Sequence, residues 1–271
     1  MIRLEDVHFA YPGGVEALRG ISLELSEGCA CVIGQNGAGK TTLIKHFNGL
    51  YRPTSGRVTV GGQDTRDRRV AQLARHVGLA FQNPDDQLFH PTVEEEVRFG
   101  PRNLGHASAD VDRLAGWAMG LLGLEGVSAK RPYEVEFSWR KRVAIASVIA
   151  MDTHVVVLDE PTGGQDAPGV GVLGEVVEEL TRRGKLVVVV THDIEFARVH
   201  ADRVIALYQG SVLLDDDSRS VFGQPAELRR TYVRPPGVTE VGQLLKLERT
   251  VLSVDELFAV LGLETAPPTA S

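Results

Sequence analysis

Cysteine is scarce in this chain of 271 residues: there are two, Cys29 and Cys31, one residue apart, where a mutual disulfide is sterically awkward. A disulfide-stapled scaffold is excluded, and a reducing compartment fits. Long apolar runs are also missing. The longest clean one, 186–190, falls far short of the ~18 residues that a membrane span needs. The first residues, Met1-Ile2-Arg3-Leu4-Glu5-Asp6, lack the basic and then apolar layout of a signal peptide. Basic residues are in the minority, 29 against 36 acidic, for a net charge of −7. That argues against a nucleic-acid coat protein, and no nucleic-acid partner is expected. The absences together describe a cytoplasmic protein.

What is present is core material, with 43% hydrophobic residues in a chain long enough for one to two domains. The first forty residues alternate like strands: Val7, Phe9 and Tyr11 share a face, Gly13-Gly14 turns the chain, and Ile21, Leu23 and Leu25 alternate with polar residues. A short apolar strand, 29–33, enters a Gly-rich loop. A helix follows, with Leu43, Ile44, Phe47 and Leu50 on one face. Further on, 70–76 reads as helix and 77–81 as a buried strand. From about 84 to 135 the period becomes helical, around 93–99 and 111–122. Residues 155–158 and 186–190 are continuous runs of Val and Leu, as strands buried on both faces should be. Between them Val172, Leu173, Val176, Val177 and Leu180 mark an amphipathic helix. A hairpin is expected at 204–207 and 212–214 around Gln209-Gly210, then a solvated turn at 215–217. After Phe222-Gly223 the composition shifts. Two short helical patterns, 238–247 and 254–261, form a small appendage, Ser253 and Glu256 having capping-box spacing. The tail from 266 to 271 reads as frayed. The expected division is a main domain over 1–225, with a helical insert at about 84–150, and an appendage over 226–271.

The chemistry concentrates in two places. Gly34-Gln35-Asn36-Gly37-Ala38-Gly39-Lys40-Thr41 fits G-x-x-x-x-G-K-[ST] between a predicted strand and a helix, the context that the motif requires. The glycines let backbone N–H groups close around phosphate oxygens, and the helix N-terminus adds its positive end. Lys40 is placed for the β- and γ-phosphates of ATP, and Thr41 for Mg²⁺. The second place is the apolar strand 155–158 ending in Asp159-Glu160. Asp159 can complete the metal shell, and Glu160 can polarise a water towards the γ-phosphate. His192, after a similar apolar strand, ends beside them on the same sheet edge. Cys29 and Cys31 share a strand face as small core residues, since no further metal ligands are evident. The basic triplet 140–142 reads as solvated surface.

With these motifs in place, the chain resembles the nucleotide-binding subunits of ABC transporters, and within them the ATPases of energy-coupling-factor (ECF) importers. The likeness covers nearly the whole chain. It implies a P-loop α/β ATPase core with an antiparallel β subdomain, a helical insert and a small C-terminal helical domain. Tyr11 stands where that family stacks an aromatic on adenine, and the run 34–41 with Thr42 is the phosphate cradle. Gln82, in Phe81-Gln82-Asn83-Pro84-Asp85-Asp86-Gln87-Leu88-Phe89, matches the glutamine that contacts Mg²⁺ and the membrane partner. The segment Phe99-Gly100-Pro101-Arg102-Asn103-Leu104-Gly105 also echoes the ECF subfamily. Gln165 stands where an apolar residue is usual, and His192 matches the switch histidine. The resemblance implies ATP hydrolysis at the cytoplasmic face of a membrane, with Glu160, His192 and Lys40 catalytic and Thr41, Gln82 and Asp159 at the metal. It also implies a second ATPase subunit, integral membrane subunits, and import of a vitamin or transition-metal ion.

One family motif is altered. The signature reads Leu-Ser-Gly-Gly-Gln; between flanks that align without a gap, this chain has Val135-Glu136-Phe137-Ser138-Trp139. In the family, two subunits dimerise head to tail and each signature covers the γ-phosphate bound by the other. Glu136 would put a carboxylate where a donor belongs. Two like charges ~4 Å apart repel by about 4 kcal/mol at an effective dielectric of 20. Phe137 and Trp139 add bulk. The chain thus keeps its own half-site and offers a defective half to a partner, which favours a heterodimer with an intact-signature subunit. An engineered or spurious segment, a loop that closes on ATP by another route, a non-hydrolysing regulatory subunit and a soluble ABC ATPase are the alternatives. Whichever holds, Lys40→Ala is expected to weaken Mg·ATP binding by about 1.5–3 kcal/mol, the worth of a charged hydrogen bond, in calorimetric titration.

Overall fold

The computed structural model describes residues 1–263; the tail from 266 to 271 lies outside them. The strands are β1 (Ile2–Ala10), β2 (Glu16–Leu25), β3 (Cys29–Ile33), β4 (Ser55–Val60), β5 (Gln63–Asp64), β6 (Val77–Ala80), β7 (Val155–Asp159), β8 (Leu186–Val190), β9 (Arg203–Tyr208) and β10 (Ser211–Asp216). They form an antiparallel sheet in the order β2-β1-β4-β5 and a six-stranded sheet in the order β10-β9-β3-β8-β7-β6. In the second sheet all strands but the edge strand β10 run parallel.

The alternation of side chains across that sheet makes two cores. Cys29, Cys31, Val156, Leu158, Val187 and Val189 face one side, where the helices from the insert onward pack, whereas the helix after the glycine loop packs on the other. Ala30, Val32, Val155, Val157, Val188 and Val190 face the other, against β1, β2 and β4. These strands are buried on both faces, which is why they read as unbroken Val and Leu runs. Both cysteines are buried free thiols. A hydrogen bond with the Cys29 thiol, together with burial, pushes the Cys31 thiol well above its usual range.

In the antiparallel sheet Ile2 and Leu4 join Val7 and Phe9 in the core, although the spacing from Leu4 to Val7 breaks strict alternation. A bulge restores it: the register jumps between Leu4 and Val7, and Asp6 takes a left-handed φ of 46°. The Gln209-Gly210 hairpin forms as expected, with both residues left-handed, the requirement of a type I′ turn.

The helices are α1 (Lys40–Phe47), α2 (Val70–Leu73), α3 (Val93–Leu104), α4 (Ser108–Leu121), α5 (Phe137–Ile149), α6 (Ala167–Arg182), α7 (Ile194–His200), α8 (Ser218–Phe222), α9 (Pro225–Arg230), α10 (Gly237–Leu244) and α11 (Val254–Leu261). None is long and apolar enough to cross a membrane. Several expectations need correction. Leu50, read on the helix face with Leu43, lies past the end of α1 and is 41% exposed. The helix read over 70–76 is the single turn α2, because the chain must enter β6 at Val77. The acidic run 215–217 is not a solvated turn. Asp215 sits in β10 and accepts from Nε and Nη2 of Arg203 at 2.6 and 2.7 Å, while Asp217 caps α8. The basic triplet is not surface either: Lys141 is 3% exposed, and Arg140 and Arg142 are largely covered, because α5 packs between the insert helices and β6 and β7.

The C-terminal helices α10 and α11 are fastened to the rest by polar contacts. Arg219 of α8 donates to both Glu256 oxygens of α11, at 2.9 and 2.7 Å, and Arg198 of α7 donates to the Leu252 carbonyl at 2.6 Å. Ser253 caps α11, but the Glu256 carboxylate accepts from the Leu252 N–H and from Arg219 rather than closing a reciprocal box. The Arg219 guanidinium holds the Glu256 carboxyl down at about 2. Its contribution is therefore complete above the ordinary value of 4.5 and is lost as the pH falls towards 2. Glu256→Gln is expected to cost roughly 1 kcal/mol at pH 7, about 2–4 °C in a thermal melt, and the difference from the parent should vanish near pH 2.

Candidate functional site

The site forms where β3, β7 and β8 end side by side. Asp159 lies level with Val190, and beyond the strands the ladder continues as the Glu160 N–H donates to the Val190 carbonyl and the Thr191 N–H to that of Val32. This places the loop after β3, the Asp159-Glu160 pair and the loop bearing His192 on one edge.

The loop after β3 wraps the start of α1. Gly34 has φ 142° and its α-carbon lies so close to the Leu207 carbonyl that a Cβ would sit 2.5 Å from that oxygen, so only glycine fits. Lys40 is buried, and its ammonium donates to the Gly34 and Gln35 carbonyls at 2.7 and 3.1 Å. Burial lowers its proton affinity, against the pull of Glu160 and Asp159. The N–H groups of Lys40, Thr41 and Thr42 open α1, so they have no intrahelical acceptor. The Ala38 N–H is engaged within the loop, donating to the Gln35 carbonyl, and its methyl is buried. Asn36 and Gly37 form the exposed tip.

The Thr41 hydroxyl donates to Asp159 Oδ2 at 3.0 Å. Burial raises the Asp159 carboxyl above its ordinary range, with the Thr41 hydrogen bond opposing. Hydroxyl and carboxylate oxygens in contact are the hard donors that a magnesium ion takes, so these residues fit the metal. Glu160 stands beside them with a left-handed φ of 50°. Its Oε2 lies 2.7 Å from His192 Nδ1 and also accepts from the His192 N–H at 3.2 Å.

A cleft of about 490 Å³ collects Tyr11, Gly37, Gly39, Lys40, Thr41, Thr42, Gln82 and Glu160, with the exposed Val15 also lining it. His192, Gly34 and Gln35 open instead onto a neighbouring cleft that shares Asn36, Gln82 and Glu160. Tyr11 packs edge-on to Phe9 and Tyr51, and its hydroxyl meets that of Thr42 at 2.6 Å. Gln82 is exposed on the cleft wall.

Residues 135–139 lead into the start of α5. Glu136 occupies the N-cap position, exposed and without a side-chain cap bond. Phe137 packs on Gly164 of the chain's own loop, so part of its bulk faces inward. Two residues escaped the sequence reading. Gln87 accepts from the Phe81 N–H and donates to the Ala144 carbonyl and the Ser147 hydroxyl, tying the Gln82 loop to α5. Lys141 donates to the Glu160 and Gly163 carbonyls. Gln87 lay inside a segment already singled out, whereas nothing local distinguished Lys141 from its two exposed-looking neighbours.

The ABC transporter family profile matches residues 18–163, from β2 through the turn after Glu160. The chain belongs to the ABC transporter ATPases. An ABC transporter ATP-binding protein of Pyrococcus furiosus is 42% identical over 97% of this chain and 100% of its own length. The energy-coupling factor transporter ATP-binding protein EcfA of Methanocaldococcus jannaschii is 38% identical over 90% of this chain and 89% of its own. Among solved structures, cbiO1 from Clostridium perfringens, part of the ABC transporter complex cbiONQ, superposes with a TM-score of 0.75 at 31% identity, covering 91% of this chain and 98% of that one. For an ABC ATPase with this geometry, Glu160→Gln is expected to leave nucleotide affinity unchanged and to lower turnover about 10²–10⁴-fold, read by phosphate release.

Proposed function

We propose that this chain hydrolyses ATP as one half of an asymmetric ATPase pair that energises an ECF-type importer of a vitamin or transition-metal ion. The reading is carried by one contrast. Lys40, Thr41, Asp159, Glu160 and His192 converge at one sheet edge, while the segment that would serve a partner's nucleotide presents the exposed, uncapped Glu136.

In this reading the adenine stacks at Tyr11, and the amides opening α1, with those of the glycine loop, hold the phosphates. Lys40, whose ammonium donates to the Gly34 and Gln35 carbonyls at the cleft wall, compensates β- and γ-phosphate charge. Thr41, Asp159 and Gln82 would hold a magnesium ion, which would supply positive charge against the phosphate oxygens. Glu160 accepts hydrogen bonds from His192 on one side, which orients its carboxylate to take a proton from the attacking water. The exposed His192 ring is then free to turn towards the transferring phosphoryl.

The membrane subunits would dock from the cytoplasmic face, with the Gln82 loop and the insert helices moving together through Gln87. The region from 226 onward, whose described part includes α10 and α11, would hold the two ATPases together when nucleotide is released. Leu244, Leu245 and Val241 of that region are exposed.

The purified chain alone is expected to bind ATP but turn it over at least tenfold more slowly than when paired with an intact-signature homologue. Changing residues 136–139 to Ser-Gly-Gly-Gln should raise the activity of the chain alone. Robust hydrolysis by the unaltered chain would refute the asymmetry. ATP-driven association without phosphate release by either preparation would select a regulatory role.

A further inference from the structure

Helix α5 carries a buried cation outside the nucleotide cradle. Arg140 and Arg142 pair with Asp85 and Asp166, but Lys141 between them forms no ion pair among the described residues, although it is 3% exposed. A buried ammonium is costly unless its donors are satisfied, and it has three. Two go to the Glu160 and Gly163 carbonyls, the second at 2.9 Å, and Phe137 lies 5.9 Å away with its ring towards the charge.

Those two carbonyls bracket the turn that follows Asp159, closed by the Gly163 N–H on the Glu160 carbonyl at 3.3 Å. Glu160 has a left-handed backbone, a strained conformation for a residue with a side chain, and surrounding contacts must hold it. The other end of the turn is held as well. Gln165 donates to the Ser138 carbonyl at 2.8 Å and accepts from Arg142 at 3.1 Å. Phe137 covers Gly164, whose φ is 78°. The first two turns of α5 thus contact residues 160, 163, 164 and 165 of the loop, and two departures from the family pattern, Gln165 and the 135–139 segment, touch each other.

We propose that Lys141 is a positioning residue for ATP hydrolysis: by gripping the Glu160 and Gly163 carbonyls it holds Glu160 left-handed, with its carboxylate against His192, and couples that carboxylate to the helix that begins with the altered signature. The grip works in cis. A partner nucleotide or subunit pressing on residues 136–139 moves α5, and α5 moves Glu160. The proposal rests on the reading of Glu160 as the group that orients the attacking water. It adds that the helix start bearing Glu136 acts on this chain's own site, whatever it does at the partner's.

The test compares Lys141→Met, which removes the donors and keeps the apolar stem, with Lys141→Arg, which keeps donors for both carbonyls. Each is paired with the intact-signature homologue, and each is also measured alone for affinity towards a fluorescent ATP analogue and for amide exchange across 160–166. Lys141→Met is expected to lower kcat at least tenfold while KM and analogue affinity stay within twofold. Exchange in 160–166 should quicken at least fivefold, and Lys141→Arg should recover most of the rate. Equal losses of kcat and affinity with a lowered melting temperature, or no rescue by arginine in a variant that melts like the parent, would overturn the positioning role. So would an unchanged kcat. If the analogue fails to bind even the parent chain, the nucleotide reading itself fails, a result distinct from any of these.

Discussion

The parallel pairing of β8 between β3 and β7 is the constraint on which the rest depends. Backbone hydrogen bonds fix those strands in register, so the residues just past their carboxyl ends cannot drift relative to one another. Three loops distant in sequence, at 34–39, 160–165 and 191–193, are brought to one edge by that register alone. Ligands of open α/β sheets bind at such edges because helix N-termini point there and the strands behind are rigid. In this chain the strands are buried on both faces by two separate cores, so the edge has a stiff support.

Buried charge is the second organising feature. Lys40, Lys141, Asp159 and Glu160 are each nearly removed from water. Lys40 and Lys141 are satisfied mostly by carbonyls, and burial lowers the proton affinity of both. Asp159 is held above its ordinary range by the same cause. Such an arrangement spends folding stability on a field that a polyanion and a divalent cation can exploit, and it explains why so few direct ion pairs connect these groups. Helix α5 is the rod that joins them. Through Lys141 it grips the turn after Asp159, through Gln87 it holds the loop that carries Gln82, and it begins at Phe137, against Gly164.

Much of this was legible without coordinates. Spacing alone located Lys40 and Thr41, because a phosphate loop is local: its glycines, its lysine and its helix follow one another within eight residues. Unbroken valine runs gave away the buried strands, and the Asp159-Glu160 pair followed from the strand that precedes it. Other features were hidden for physical reasons. The bulge at Asp6 changes the facing of Ile2 and Leu4, and pairing with both neighbouring strands, β2 and β4, sets it. Asp215 looked like a turn residue because acidic runs favour solvent; a guanidinium two residues along the neighbouring strand made it a strand residue.

The amino-acid order determined what the chain can bind, since the chemistry of a triphosphate cradle is written in contiguous residues whose backbone freedom and side-chain charge act over short range. Tertiary structure decided how that chemistry is supported. Lys141 and Arg140 are adjacent and chemically alike, yet one is sealed beneath the turn at Glu160 and the other reaches out to Asp85, because a helix turns 100° between them and only packing says which side is inward.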